Sequence, residues 1–121
     1  MENQKIIDIS KYISDNITSL VGRHNGEKLA SKLIDNKIIL DQIEKDFDSI
    51  VFVIPKKINV LNKSYFLGWL ETRVQSLGKD VFIHKYHFDA DQYIIDQIHG
   101  RYIDAALMTL SAAKILNVEK K

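Results

Sequence analysis

Ser64 is the first side chain in this sequence whose neighbours give it a chemical use. It stands in Asn62-Lys63-Ser64-Tyr65-Phe66-Leu67, directly ahead of an amphipathic run that extends to Leu77. A hydroxyl on an exposed loop between strand and helix is a candidate phosphoacceptor, because a phosphate there would lie near the positive helix end. The plainer role is an N-cap worth about 1 kcal/mol, with Asn62 as the competing cap, and the local residues favour that role. Tyr65 and Trp69 fall off the main apolar stripe of the same helix. They serve equally well as half-buried packing or, with Asn62, Lys63, Glu71 and Thr72, as a protein contact patch anchored by two rings.

Two other groupings carry chemical side chains. In Gly22-Arg23-His24-Asn25-Gly26, glycines ahead of a helix could cradle phosphate, and Arg23 is a candidate anion ligand. Neither the dinucleotide nor the P-loop spacing is present, so a flexible turn is the favoured reading. His84 and His87, with Asp89 and Asp91, have the residue types of a metal site. With Val81 to His84 read as strand, however, residues three apart point to opposite faces, which disfavours shared ligation. His24 and His99 are isolated. There is no Gly-x-Ser-x-Gly elbow, and Asp41, Glu44, Asp46 and Asp48 read as solvated charges. No metal or other cofactor is expected.

Composition narrows the classes further. A chain of 121 residues, 45% of them hydrophobic, makes one domain with an ordinary core. Without cysteine there is no thiol nucleophile or disulfide framework. The 17 basic and 16 acidic side chains nearly cancel, which disfavours a nucleic-acid adaptor. No apolar run reaches the ~18 residues that span a bilayer, and Met1 to Lys5 lacks the pattern of a signal peptide. A cytoplasmic protein with no membrane partner is the expectation. Residues 118–121 read as a frayed tail.

The elements that must position these residues follow in order. Lys5 to Ile9 is β-branched and reads as a first strand. Ile13 to Val21 is ambiguous. From Glu27 a helical pattern runs through Leu29, Leu33, Ile38 or Ile39, Ile43 and Phe47, with Asp35-Asn36 as a kink or division. Ile50 to Ile54 is continuously apolar and ends at Pro55, the only proline; such a strand is expected to be covered on both faces. Phe66, Leu67, Leu70, Val74 and Leu77 share one stripe of the next helix, and Gly78 suits its C′ position. Val81 to His84 is then predicted as a strand parallel to Ile50–Ile54, reached by a right-handed crossover. Asp89 or Asp91 caps a later helix, Gly100 interrupts it, and a last helix carries Ile103, Ala106, Leu107, Leu110 and Ala113. Its small residues Ala105, Ala106, Ser111, Ala112 and Ala113 permit close packing against the sheet or a partner, which leaves a homodimer open.

The order Gly22-Arg23, Gly26, a helix through Leu33, the buried strand Ile50–Ile54, then Asn62-Lys63-Ser64-Tyr65-Phe66-Leu67 resembles the bacterial STAS-like domains of unknown function. These are relatives of the anti-sigma factor antagonists. The likeness spans roughly Lys5 to Leu107, and its clearest part is a serine followed by Phe-Leu at the helix start. It implies a single α/β domain with a central mixed, partly parallel sheet and helices packed on it. It also implies a non-enzymatic switch whose serine, here Ser64, is phosphorylated by a GHKL-type kinase that is also its partner. The antagonist loop usually reads Asp-Ser-Ser-Gly; here Lys63 replaces a serine and Tyr65 the glycine. The resulting expectation is a regulatory protein–protein interaction module. The alternatives are a small enzyme or ligand-binding domain with a pocket beside Gly22–Gly26 and, less favoured, the nucleic-acid adaptor.

Overall fold

Three parallel strands at the centre of the chain are built from segments far apart in sequence. The computed structural model describes residues 3–109. The strands are β1 (Gln4–Asp8), β2 (Ser19–Leu20), β3 (Ser49–Val53), β4 (Val60–Leu61) and β5 (Tyr86–Asp89). The helices are α1 (Arg23–Asp35), α2 (Leu40–Asp46), α3 (Lys63–Leu77), α4 (Lys79–Lys85) and α5 (Gln92–Gln97). A 3-10 turn at Ile9–Tyr12 follows β1, and a π-helical turn at Ile98–Tyr102 leads from α5 into helical residues 103–109. The main sheet has the order β1-β3-β5, and β2 pairs with β4 in a second, two-stranded ladder. All of these ladders are parallel. The single α/β domain with helices packed on a sheet is therefore the one expected, while the sheet, expected to be mixed, is wholly parallel among the described residues.

The period of two along the strands decides which side is buried. Ile7, Ile50, Phe52, Tyr86 and Phe88 share one face. It is packed by aromatic rings from the helices, with Trp69 of α3 against Phe52 at 4.8 Å and Phe82 of α4 against Tyr86 at 4.8 Å. On the other face Ile6 is 61% exposed, Val51 and Val53 are half-buried, and His87 and Asp89 are exposed. Among the described residues that side is open. The cover expected on both faces of Ile50–Ile54 is thus found on one. The apolar run survives because alternate valines face outward rather than into a second helical layer.

Several local expectations are corrected. Val81 to His84 is helical, not a strand: it lies within α4, and only Phe82 of that run is fully buried. The strand is the next segment, whose Tyr86-His87-Phe88-Asp89 alternates buried and exposed. Gly78 does cap α3, at φ 83°, and its amide bonds Val74 O. It then serves as the N-cap of α4, so the chain turns from helix into helix. Gly22–Gly26 is not a loop, since α1 begins at Arg23 and Gly26 is buried within it. The division near Asp35-Asn36 forms as expected, with Lys37 at φ 65°. Ile13–Val21 resolves into irregular chain ending in β2. Asp91, not Asp89, caps α5 through the Tyr93 amide at 2.9 Å. Leu110 to Ala113 and the tail at 118–121 lie outside the described residues.

The π-helical turn after α5 places a buried tyrosine hydroxyl. Tyr102 donates to the Leu61 carbonyl at 2.8 Å, tying the last helical segment to β4. Tyr102→Phe would leave that buried carbonyl without its partner, and stability should fall by about 1–3 kcal/mol. Urea denaturation followed by circular dichroism measures this; no shift in midpoint would show the bond contributes nothing.

Candidate functional site

The candidate site is built where α1 and α3 start side by side. Each helix leaves a short strand, and because β2 and β4 pair in parallel, Leu20 beside Leu61, the two helices begin next to each other. They touch through glycine. A Cβ on Gly26 would overlap the Tyr65 carbonyl oxygen and come to 3.0 Å from Trp69 N. A Cβ on Gly68 would overlap the Arg23 carbonyl oxygen and come to 3.0 Å from Glu27 N. The contact is reciprocal, each glycine resting on a carbonyl three residues before the other. Only hydrogen-sized groups allow such an approach, and Cα–H···O contacts accompany it.

Asn62 locks this junction. Its Oδ1 accepts from Tyr65 N at 2.9 Å, which caps α3, and from Gly22 N at 3.3 Å, ahead of α1. The cap is therefore Asn62 and not Ser64. Ser64, half-buried, is the second residue of α3, and Lys63 beside it is exposed. A single amide oxygen thus couples the starts of two helices, with Ser64 two residues away.

The aromatic contact patch does not exist. Tyr65 and Trp69 are both 3% exposed. Trp69 packs against Phe52, Phe88 and Tyr65, and burial pushes the Tyr65 phenol up to about 12. Off-stripe positions are buried here because α3 is covered on two sides, by the sheet and by α1. Asn62, Lys63 and Ser64 are the only members of the expected contact set that surround the helix start. Arg23 reaches instead across the junction to Glu71 at 3.4 Å. Its guanidinium is paired there while remaining 45% exposed.

A cavity of 530 Å³ lies beside this junction, on the Gly22–Gly26 side. Its wall carries the polar groups of Tyr12, Ser19, Asn25, Lys28, Lys32 and Tyr65. Lys28 and Lys32 stand one turn apart on α1 and are exposed. The sequence signal for them was their four-residue spacing, which the glycine-centred reading passed over.

His84 and His87 line one shallow pocket with Asp48 and Asp80, while His24 lies on α1 and His99 in the π-helical turn. His84 lies in the last turn of α4 and His87 in β5, where its Nε2 sits 3.0 Å from the His84 carbonyl. Among the described residues no group of three or more His, Cys, Asp or Glu could hold a metal ion.

Glu44, grouped from sequence with the solvated acids, is buried in a polar network. Its carboxylate accepts from Arg73 Nε at 2.8 Å, from Arg73 Nη2, and from the Tyr86 hydroxyl at 2.5 Å. The Glu44 hydrogen bond holds the Arg73 pKa above its usual value, and burial raises that of Tyr86. Lys85 Nζ adds bonds to the Glu44 and Phe47 carbonyls. Both Glu44 carboxylate oxygens are thus engaged, and the network ties α2, α3 and β5. Among the described residues, no helix is long and apolar enough to cross a membrane. Comparison of the chain with family models, with curated proteins and with solved structures gives no match in any of the three.

Proposed function

We propose that this chain is a non-enzymatic regulatory module that acts by binding another protein. The observation that carries the reading is the sheet face that the described residues leave open. Parallel sheets are ordinarily covered on both sides, and here Ile6, Val51 and Val53 present an aliphatic surface opposite the helical layer. A second protein is the cover that fits it. The STAS resemblance names the partner class as a GHKL-type ATPase or kinase and places the switch at Ser64, the start of the helix that follows the central strand. A phosphate there would add roughly −1.5 to −2 charges close to Lys63 and the α3 amides. It would stand two residues from the Asn62 oxygen that joins both helices.

The test is calorimetric titration against each purified GHKL-type ATPase of the host, with mass spectrometry of the native protein for phosphate at Ser64. Wild type should bind one of them. Val51→Lys should weaken binding at least tenfold, about 1.4 kcal/mol, while the circular dichroism spectrum is kept. Ser64→Asp should change affinity by about 1–3 kcal/mol and Ser64→Ala should not. Absence of binding by wild type ends the proposal; equal affinities of wild type and both Ser64 variants reduce Ser64 to a helix residue.

A second reading is favoured by the 530 Å³ cavity, which is within the size range of small-molecule sites. On that reading the chain is a ligand-binding domain, and Lys28 and Lys32 would receive an anionic group. Inorganic phosphate, titrated into the wild type and a Lys28→Ala/Lys32→Ala variant, separates the two readings.

A further inference from the structure

Three tyrosines are buried among the described residues, and two of their hydroxyls have protein acceptors. Tyr86 donates to Glu44 and Tyr102 to the Leu61 carbonyl. Tyr65, 3% exposed, has none: burial alone raises its pKa, with no hydrogen bond contributing. Buried phenols usually find a partner. Among the described residues the polar side-chain atoms sealed from solvent without one are Ser49 Oγ and Trp69 Nε1, and the Tyr65 hydroxyl does not belong with them. It therefore keeps an opening to solvent, and the space that Tyr65 walls is the 530 Å³ cavity. The rest of that wall sorts by chemistry. Ile13, Ile17, Leu20 and Leu29 supply an aliphatic side. Its charged side chains are Lys28 and Lys32 alone, and no described ion pair engages them. Like charges one turn apart weaken a helix, so an anion set between them is favoured.

We propose that this cavity takes an amphipathic organic anion: its acid group received by Lys28 and Lys32 at the exposed rim, its apolar body against Ile13, Ile17 and Leu29, and a second oxygen accepting from the Tyr65 hydroxyl. This assignment rests on the ligand-binding reading of the cavity and gives it a chemical class. The charge follows from the wall, which offers two cations and no carboxylate. The inner oxygen follows from Tyr65, whose phenol, raised to about 12, stays protonated and a donor at neutral pH. An acid without that oxygen would cover the hydroxyl and leave it unpartnered, which is the costly case for a buried donor. The volume lies within the ~300–1,000 Å³ of small-molecule sites and suits a one-ring acid.

Two acids of one shape read the inner bond: 3-(4-hydroxyphenyl)propanoate, and 3-phenylpropanoate, which lacks the hydroxyl. Each is titrated calorimetrically into the whole protein, into Tyr65→Phe and into Lys28→Ala/Lys32→Ala. Wild type should bind the hydroxylated acid about three- to tenfold tighter, the worth of one neutral hydrogen bond. Tyr65→Phe should bind the two alike. That variant loses only an oxygen without a protein partner, so its circular dichroism spectrum should match wild type. Removing the lysines should weaken both acids by about tenfold or more and leave their ratio unchanged. Equal affinities of the two acids in wild type, a ratio that persists in Tyr65→Phe, affinities indifferent to the lysines, or no binding of either acid overturns the inference. The ligand-binding reading falls separately, if inorganic phosphate also shows no binding that depends on the two lysines.

Discussion

Gly68→Ala should leave no stably folded protein. The added methyl would overlap the Arg23 carbonyl oxygen and stand 3.0 Å from the Arg23 carbonyl carbon and Glu27 N. All three are backbone atoms of α1, so no rotamer change relieves the clash. Alanine returns at most about 1 kcal/mol through helix propensity. Separating α1 from α3 would instead loosen Leu29, Leu33 and Trp69 together. The net loss should exceed about 4 kcal/mol, a large part of the 5–15 kcal/mol that holds a typical domain. Gly26→Ala should match it, since its methyl would overlap the Tyr65 carbonyl oxygen. Gly100→Ala is the control. A methyl there meets nothing within 4 Å, so that variant should be neutral or gain up to about 1 kcal/mol. Thermal and urea unfolding decide the matter, and a Gly68→Ala loss below 1 kcal/mol would show the helices can part freely.

Glu44→Ala should cost about 3–5 kcal/mol, because it strands a partly buried guanidinium and a buried phenol at once. The Glu44 side chain is only 8% exposed and that of Arg73 20%, so solvent cannot fully replace the lost partner. The pair itself need not be strongly stabilising. Glu44→Leu combined with Arg73→Met should recover most of the loss, as apolar replacements of buried ion pairs often do. A double variant as unstable as Glu44→Ala would mean the Tyr86 hydroxyl, not the arginine, suffers most. Chemical denaturation of Glu44→Leu, Arg73→Met and their combination gives the coupling energy.

Sequence signals were legible where one element decided the pattern alone. The stripe Phe66, Leu70, Val74 fixed α3, and Gly78 ended it, because capping and periodicity are local. The central strand was equally plain from five successive apolar residues. Val81-Phe82-Ile83 misled because three apolar residues fit either period, and the better strand signal was the alternation from Tyr86 to Asp89. Gly26 misled for a different reason. A glycine weakens a helix on its own, and here its value lies entirely in a partner 42 residues away, at Gly68. Trp69 and Glu44 share that difficulty: the surroundings that bury them come from other segments. A glycine in the first two turns of each of two amphipathic helices was the sign that could have been read.

The pairing partners also set when this chain can fold. Lys5 waits for Ile50, Ile50 for Tyr86, and Gly26 for Gly68. Once residues up to 60 have been released from the ribosome, β1 has its neighbour β3, but α1 still lacks α3 and β3 still lacks β5. Neither of the two helical junctions closes before α3 is free of the exit tunnel. Order of this non-local kind slows folding relative to a helical bundle of the same length. For the same reason a cut in the loop between β3 and β4 would not yield two half-stable pieces. It would separate β3 from β5, β2 from β4 and α1 from α3.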